Sequence, residues 1–542
     1  MKPGQPADLI VHGGTIVTVD RDQPEADHLI VRGGRIVAMS GGLDEWVGPG
    51  TDIVDLDGRM VLPGFQDSHV HPPIGGLNLL RCNLANDPDR GAYLDSIRRY
   101  ADDHPEREWI LGGGWGMDHF PNGIPTRDEL DRLVADRPVF LVNRDGHGAW
   151  VNSKALELAG IGRHTDDPAD GRIERDAGGD PIGCLQEGAM DLVERLVPET
   201  TDTELQQALT KGQSYLLSLG ITAWQDAWVT SQVEEAYRTL AADGSLKARV
   251  VGALWWERDR GEEQIEELQR RRARGPAGRF KPGAVKIMLD GVAENFTAAL
   301  LEPYRGADGR PTKNAGLDFI DPSRLGRYVA RLDAAGFQVH FHAIGDRAVR
   351  NALDAVDQAR RVNGASDHRH HIAHLQLVHP DDIPRFRLLD VVANAQPFWA
   401  VHEDQQDHLT APFLGPHRSG WQYPWHSLVR SGARLAFGSD WSVSTPNPLA
   451  IIETAVRRVS PFDRAAAEFY PEERLDLGIA LQAATRGSAY VNHLDHLTGT
   501  LVPGKLADFV VLDRDIRHSP VDEIADAGVE MTFIEGECVY EN

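Results

Sequence analysis

The chain has 542 residues, of which 41% are hydrophobic and 25% are charged. This length exceeds what one core usually holds, and the composition is that of a folded globular protein, so a small disulfide-stapled module and a disordered chain are both excluded. Lys and Arg number 56 against 82 Asp and Glu, and the net charge of −26 would repel a phosphate backbone. Nucleic acid is therefore not expected as a partner.

The sequence shows no targeting or membrane signal. No run approaches the roughly 20 apolar residues of a membrane span, and the first residues, MKPGQPADLI, lack an apolar signal core. The three cysteines, Cys82, Cys184 and Cys538, are too few for a disulfide framework and are expected to be reduced. We expect a cytoplasmic protein with no membrane partner.

Short β-type segments occur at both ends of the chain. Residues 1–62 contain such runs separated by the turn-like sequences HGG, RGG and DGR, and residues 496–542 have the same character. Because chain termini tend to lie close together, we predict that 1–62 and 496–542 form one composite β domain of the small β-sandwich type.

Between these ends, over 63–495, strand-like runs alternate with helical patterns. Eight such strands predict an α/β fold, a (β/α)8 barrel of the TIM type. We place the strands at 64–71, 222–227, 248–253, 284–290, 338–343, 370–375, 391–395 and 435–439. The long gap after the first strand predicts an inserted subdomain at 73–215, which would shape the substrate pocket above that strand's C-terminal end.

Histidines are numerous, with 22 in the chain, and several are clustered. His69 and His71 lie two apart in VLPGFQDSHVHP, at the end of the first predicted barrel strand. Residues i and i+2 of a strand point to the same face, so both side chains can reach one metal ion. Taken alone, the pair can also be a chance occurrence at a strand end.

Other polar residues follow the predicted barrel strands. They are Lys286 in AVKIMLDG, His342 in VHFHAIGD, His374 in HHIAHLQLV and Asp440 in LAFGSDW. A buried lysine is costly unless it is neutralised or paired, and in its deprotonated form it can take up carbon dioxide as a carbamate that bridges two cations. The alternatives are, for Lys286, a lysine at the edge of the core that snorkels or pairs with Asp290 and, for Asp440, a turn or helix-capping role.

The ordered set HxH, Lys, His, His and Asp on such a barrel resembles the amidohydrolase superfamily of metal-dependent hydrolases. Several stretches resemble its YtcJ-like amidohydrolase family 3 branch, which includes N-substituted formamide deformylase, and together they cover essentially the whole chain. They are LPGFQDSHVHP at 62–72, PTRDELD at 125–131, RDGHGAWVNSKALELAGI at 144–161, VKIMLDG at 285–291, HAIGDRAV at 342–349, FGSDWSV at 437–443 and GKLADFVVLDRD at 504–515.

The resemblance implies a centre for one or two divalent metal ions, with zinc as the leading candidate. It implies a binuclear site with a carboxylated lysine, formed when carbon dioxide adds to Lys286. The implied ligands are His69, His71 and Asp440 for the first metal, the Lys286 carbamate as the bridge, and His342 and His374 for the second metal.

Other histidines in these motifs compete for the same roles. His340 and His370 share strand faces with the implied ligands but lie further back, so they are expected to point into the barrel interior. His371 is expected to face outward and to be structural. Ala373 stands where the family usually has Glu, so a packing contact or hydrogen bond of that Glu is expected to be missing.

The resemblance implies a hydrolase that cleaves a carbon-nitrogen bond of the amide or formamide type, other than a peptide bond. The nucleophile would be a metal-bound hydroxide, with Asp440 as proton acceptor and relay. The sequence HAIGD lacks the glutamate that superfamily deaminases usually carry there, which favours amide hydrolysis over ring deamination. The alternatives are a mononuclear enzyme, a cyclic amide hydrolase or deaminase, and a non-catalytic assembly protein on the same scaffold.

The predicted insertion carries the candidate substrate-binding residues. Trp115 would supply an aromatic wall, and His147 would orient the carbonyl of the substrate. His119 and Trp150 could line the same pocket, and Glu187 and Gln396 are weaker candidates of the same kind. Packing within the insertion itself is the alternative role. The expected partner is a small-molecule amide, and a homodimer is a weak expectation.

Overall fold

The computed structural model describes residues 5–85 and 87–542. The strands of this part of the chain are β1 (Leu9–Val17), β2 (Glu25–Arg32), β3 (Arg35–Ala38), β4 (Asp52–Asp55), β5 (Met60–Pro63), β6 (Phe65–Val70), β7 (Cys82–Asn83), β8 (Ile110–Trp115), β9 (Val139–Asn143), β10 (Gly148–Val151), β11 (Gly171–Arg175), β12 (Pro181–Glu187), β13 (Ile221–Val229), β14 (Arg249–Trp255), β15 (Phe280–Met288), β16 (Gln338–Ala343), β17 (His371–His374), β18 (Val392–Ala395), β19 (Leu435–Phe437), β20 (Phe509–Leu512), β21 (Val529–Ile534) and β22 (Glu537–Glu541).

The α-helices occur between and around these strands. They are α1 (Pro72–Leu80), α2 (Arg90–Asp103), α3 (Arg127–Leu133), α4 (Ser153–Ala159), α5 (Asp191–Glu194), α6 (Asp202–Ser218), α7 (Ser231–Ala242), α8 (Ile265–Ala273), α9 (Pro322–Ala334), α10 (Asp346–Asn363), α11 (Ile383–Leu388), α12 (Ala411–Leu414), α13 (Pro416–Ser419), α14 (Trp425–Arg430), α15 (Pro448–Arg457), α16 (Leu477–Gln482) and α17 (Ser488–Val491). Over residues 5–85 and 87–542, none of them combines the length and the apolar character needed to cross a bilayer.

Local sequence explains where the helices around the barrel begin. At the start of α9, the side chain of Asp321 accepts hydrogen bonds from the backbone N–H groups of Ser323 and Arg324. Pro322 occupies the first turn, where a missing backbone donor costs nothing. The buried face of this helix, which includes Leu325, packs into the large core between the strands and the helices.

Eight parallel strands form a nearly closed barrel in the order β6, β13, β14, β15, β16, β17, β18 and β19. Each predicted barrel strand corresponds to one of them, so the predicted α/β barrel is confirmed. Between β19 and β6, the hydroxyl of Ser68 donates to the Phe437 carbonyl at 2.7 Å, and the Asp440 backbone N–H donates to the His69 carbonyl at 2.8 Å. The seam between first and last strand therefore lies directly beside the implied metal ligands.

Strands from both ends of the chain form a second sheet. Its order is β22, β21, β20, β5, β1, β2 and β3, with β4 beside β1, and β20 runs antiparallel to β5 with Val510 opposite Leu62. Alternate residues of β5 face different cores, since Leu62 packs into the barrel core and Val61 packs with Leu29 in a separate cluster. The sandwich arrangement and the bounds of a separate domain stay predictions.

A third sheet forms between the first two barrel strands, in the order β11, β12, β10, β9, β8 and β7. The two helices that flank this region, α1 and α6, approach closely: a β-carbon on Gly76 would lie 1.9 Å from the Ala208 carbonyl oxygen. This contact requires glycine and ties the start of the region to its end beside the barrel. The limits of an inserted subdomain stay a prediction.

Candidate metal centre

The six implied ligands come from the C-terminal ends of the barrel strands. Parallel strands place these ends on one face, and side chains from different strands therefore converge there. The six are His69 on β6, His71 just after it, Lys286 on β15, His342 on β16, His374 on β17 and Asp440 shortly after β19.

Asp440 lies between the two histidines of the HxH pair. Its Oδ1 atom is 3.1 Å from His69 Nε2 and 2.9 Å from His71 Nε2. Burial by itself would raise the pKa of Asp440, but the neighbouring imidazoles, His69 foremost, hold that pKa well below its usual value. The carboxylate is thus kept ionised among three rings, since His374 Nδ1 is 3.8 Å from its Oδ2.

His374 has no hydrogen-bond partner on either ring nitrogen within the described chain, although it is buried. Its ring is held by stacking on Trp399, with centroids 5.3 Å apart and planes 4° apart, and its backbone N–H donates to Gln396 Oε1 at 2.7 Å. A buried imidazole with both nitrogens unpaired costs free energy unless something else binds it. This environment fits a metal ligand.

The donor set fits a divalent cation. One ligand atom each from His69, His374 and Asp440 can be chosen so that all three lie within 4.8 Å of one another, and all three residues are buried. Imidazole nitrogen and carboxylate oxygen are ligands that zinc and neighbouring transition metals accept. His71 adjoins the same Asp440 oxygen as His69, which adds a fourth donor at this position.

Lys286 is buried beside these ligands, with its Nζ atom 3.5 Å from His69 Nε2. Burial lowers the pKa of the amine to about 7, although Asp440 opposes the shift. A substantial neutral fraction is therefore present at neutral pH, as carbamate formation requires. Asp290 is bound elsewhere, because its carboxylate accepts hydrogen bonds from the backbone N–H groups of residues 299, 344 and 345.

His342 lies next to His374, with ring centroids 4.4 Å apart. Its Nε2 atom is 3.3 Å from the Gly291 carbonyl and 3.6 Å from Asp290 Oδ1. In the strand register His342 is level with Ala373, so regular alternation would point His374 to the opposite side. Instead, His374 has φ +77°, a left-handed conformation that turns its side chain toward His342.

The predicted orientations of His370 and His371 are wrong, and the two are exchanged. His371 faces the barrel interior, where its Nε2 lies 3.0 Å from Gln225 Oε1. His370 faces the helix layer, with its Nε2 3.1 Å from Asp333 Oδ1 on α9. The reason is that β17 begins at His371, level with the inward-facing His340, after a residue with positive φ at Arg369. The interior position predicted for His340 is confirmed.

His147 approaches the centre from the third sheet. Its ring centroid is 5.5 Å from that of His342, and its Nδ1 lies 3.0 Å from Glu187 Oε2. Burial opposes a charge on His147, but Glu187 and Asp145 raise its pKa to about 9. The ring is therefore cationic at neutral pH, and because Nδ1 serves Glu187, Nε2 is the donor left for a ligand.

The placement of Trp115 differs from the predicted aromatic wall. Its side chain is fully buried, its ring packs against Phe120 and Trp150, and its N–H donates to the Leu141 carbonyl at 2.8 Å. The same core contains Trp150, while His119 packs edge-on against Tyr93 at its margin. These contacts give Trp115 a packing role, because both its indole N–H and its ring contact other residues of the core beside the third sheet.

An aromatic surface that the sequence reasoning missed lies at the end of β13. Trp228 is 40% exposed, its ring centroid is 6.4 Å from that of His71, and it stacks on Trp255 with centroids 4.3 Å apart. Both tryptophans stand at the C-terminal ends of neighbouring barrel strands. That position in the sequence was the available signal, since such ends build the mouth of a barrel.

Known proteins resemble this chain over most of its length. A model of the amidohydrolase family matches residues 52–540. Protein LONG AFTER FAR-RED 3 of Arabidopsis thaliana is 34% identical, over 98% of this chain and 92% of that protein. N-substituted formamide deformylase of Arthrobacter pascens is 28% identical, over 99% of each.

A solved structure gives the same picture of the fold. An uncharacterized metal-dependent hydrolase of Pyrococcus furiosus has a TM-score of 0.71 at 26% identity, with 94% of this chain and 99% of that one covered. The family match spans the barrel, all six implied ligands and the strands β4, β5, β20 and β21 of the sheet built from both termini. The chain belongs to the amidohydrolase family.

Proposed function

We propose that the protein is a metal-dependent hydrolase that cleaves a carbon-nitrogen bond of the amide or formamide type in a small molecule. The observation that carries this proposal is the buried cluster of His69, His374 and Asp440 at the C-terminal face of the barrel. The unpaired nitrogens of His374 support it further, because a site without a cation would leave them unsatisfied. Similarity to N-substituted formamide deformylase supports the choice of bond.

In this proposal His69, His71 and Asp440 hold one ion, with zinc as the expected metal. His342 and His374 would hold a second ion, and Lys286, carboxylated by carbon dioxide, would supply oxygen ligands for the two ions; a mononuclear site with unmodified Lys286 is the alternative. When bound, the metal supplies a Lewis acid that polarises a carbonyl and makes water nucleophilic at neutral pH. The 4.4 Å between the rings of His342 and His374 supports two donors at the second position.

Asp440 is the proposed proton carrier. Its carboxylate is ionised, because the adjacent imidazoles hold its pKa well below the usual value, and it stands at the centre of the cluster. It can therefore accept the proton of the attacking water. Returning that proton to the nitrogen of the leaving group lets the amine depart neutral, and the products are an acid and an amine.

His147 is proposed to orient the substrate carbonyl. Its cationic ring, held by Glu187, presents Nε2–H beside His342. A fixed charged donor is worth most where negative charge develops on the carbonyl oxygen. Because Nδ1–H is committed to Glu187, loss of the charge above pH 9 leaves Nε2 without a proton.

Replacing His147 by Phe should reduce kcat/KM by about 10²-fold, the usual cost of one lost oxyanion donor. The ring volume is kept, and the metal content should stay that of the wild type because His147 is not a proposed ligand. Steady-state kinetics between pH 6 and about 10 would check this: the wild-type kcat/KM should also fall as pH rises through about 9, where the cation is lost, and the variant should lack that step. An unchanged kcat/KM in His147→Phe would remove the residue from this role.

The proposed function is tested by metal and product analysis on one preparation. Protein purified without chelators should contain one or two divalent ions per chain by plasma mass spectrometry, and it should release formate and amine from N-formylated amines. A chelator should abolish the reaction, and added zinc should restore it. Formamides of arylalkyl and of simple alkyl amines form a matched pair, and the exposed Trp228 predicts a preference for the aryl member. No metal after reconstitution, or equal hydrolysis by the metal-free protein, would contradict the proposal.

A further inference from the structure

A row of buried polar side chains runs down the barrel interior from His69. Its Nδ1 lies 2.8 Å from His340 Nε2, and His340 Nδ1 lies 2.7 Å from Gln225 Oε1. Gln225 Nε2 in turn lies 3.0 Å from Gln338 Oε1. All four residues are buried, and none of these contacts involves a charged group.

The direction of these hydrogen bonds decides which nitrogen of His69 is free. A neutral imidazole carries one N–H and one lone pair, and only the lone pair can bind a cation. His69 Nε2 faces Asp440 Oδ1 at 3.1 Å, so His69 can act as a ligand there only if its proton sits on Nδ1. The position of the His69 proton can be inferred from groups further along the row that can only accept hydrogen bonds.

Gln338 fixes the direction from the bottom of the row. Its amide nitrogen lies 2.8 Å from the carbonyl oxygen of Arg369 and 2.8 Å from that of Val491. Backbone carbonyls only accept, so the nitrogen must face them and the Gln338 oxygen must face Gln225. Gln225 therefore turns its own nitrogen toward Gln338 and its oxygen toward His340.

A second, independent anchor gives the same direction. Asn394 Nδ2 donates to the Ser68 carbonyl at 2.9 Å, so the same nitrogen donates to His371 Nδ1 at 3.1 Å. His371 then carries its proton on Nε2, which lies 3.0 Å from Gln225. The Gln225 atom at that point must accept, so it is the oxygen. A flip of the Gln225 amide would break bonds at both anchors.

The proton order up the row now follows. Gln225 Oε1 accepts from His340 Nδ1–H, and His340, buried between two uncharged partners, is neutral and accepts at Nε2 from His69 Nδ1–H. We propose that Gln225 and Gln338 are positioning residues that hold His69 in the tautomer whose Nε2 lone pair faces the metal position. The inference rests on the proposed function, since it concerns a ligand of the proposed metal.

Metal affinity, rather than activity, tests this inference. Gln225→Met removes the hydrogen-bond acceptor and keeps a similar side-chain length. It should lower the affinity for the first zinc ion by about 10- to 100-fold, as is usual for residues that hydrogen-bond to a metal ligand. Gln225→Glu keeps an acceptor oxygen facing His340 and should restore affinity close to that of the wild type. Both are measured by competition against a zinc-binding dye on chelator-stripped full-length protein, with the melting temperature of each metal-free variant recorded alongside.

His370→Met is the matched control, because His370 is also a buried histidine, but its Nε2 bonds to Asp333 on α9 and not to any residue of the row that leads to His69. It should lower the melting temperature while leaving zinc affinity unchanged. The inference is overturned if His370→Met weakens zinc binding as much as Gln225→Met does, or if Gln225→Glu binds zinc no more tightly than Gln225→Met. A wild type that binds no zinc would instead overturn the proposed function, whereas wild-type affinity in Gln225→Met would overturn this inference alone.

Discussion

Asp440→Asn should lower kcat by about 10²- to 10⁴-fold, the range that a positioned proton carrier usually contributes. Asparagine keeps the shape of the side chain and an amide oxygen that can face the metal position beside His69 and His71, but it cannot take a proton from the attacking water. The loss should therefore fall on kcat, with the protein still folded. Product release from an N-formylated amine, measured together with metal content and melting temperature, checks this.

Asp333→Asn is a suitable control for that variant. Asp333 is also a buried aspartate bonded to a histidine, but it lies on α9 with His370, outside the barrel strands. Its replacement should reduce stability, since the His370 contact holds its pKa down at about 2, and should leave kcat unchanged. Turnover near the wild-type rate in Asp440→Asn with full metal content would take Asp440 out of the mechanism.

Lys286→Ala should lose the second metal ion while keeping the first. In the proposed site the neutral Nζ would form a bond to the carbon of carbon dioxide and release a proton, and the resulting carbamate would supply oxygen ligands for the two ions. Removing the side chain removes the bridge, so the metal content should fall from two ions to one and kcat should fall with it. Metal analysis of the purified variant checks this directly.

Two further observations make the Lys286 result decisive. Acetate or propionate should partly restore the second ion and the activity, because a free carboxylate can occupy the space of the missing carbamate. Lys281→Ala on the same strand, where the lysine is exposed, should change neither. Unchanged metal content in Lys286→Ala would favour the mononuclear alternative.

The barrel and the position of the HxH pair could be predicted from sequence because both depend on short-range patterns. Apolar runs of strand length recur with helical segments between them, and a two-residue spacing on one strand guarantees a shared face. His69 and His71 accordingly lie on either side of one Asp440 oxygen. Both features can be predicted without knowing which residues the strand packs against.

The face of each histidine around β17 could not be predicted in the same way. If side chains alternate regularly along the strand, His370 and His374 point to the same face. His374 does join the cluster, yet His370 points outward to the helix layer. The regular alternation of side chains is interrupted twice, because Arg369 just before the short strand β17 and His374 at its end both have positive φ values. Such conformations cost about 1–3 kcal/mol each and persist where surrounding contacts enforce them, which a sequence pattern does not reveal.

The aromatic residues illustrate a second limit. Trp115 and Trp228 both follow strand-like runs, and composition does not distinguish them. Trp115 ends a strand of the third sheet and is enclosed by Phe120 and Trp150, whereas Trp228 ends a barrel strand and retains open surface. The position of Trp228 after a predicted barrel strand was a usable signal, whereas the enclosure of Trp115 by Phe120 and Trp150 is a long-range property of the fold.

The pairing of β20 with β5 sets the order in which the protein can assemble during translation. The β5 strand leads through one residue into β6, which carries His69, yet its neighbour on one side, β20, is synthesised only after all eight barrel strands. Until then β5 presents an unpaired edge, the kind of surface on which nascent chains associate wrongly. Closure of this sheet is therefore expected as a late event that waits for the synthesis of β20, and cells that make this protein faster than chaperones can shield the β5 edge should accumulate aggregated material.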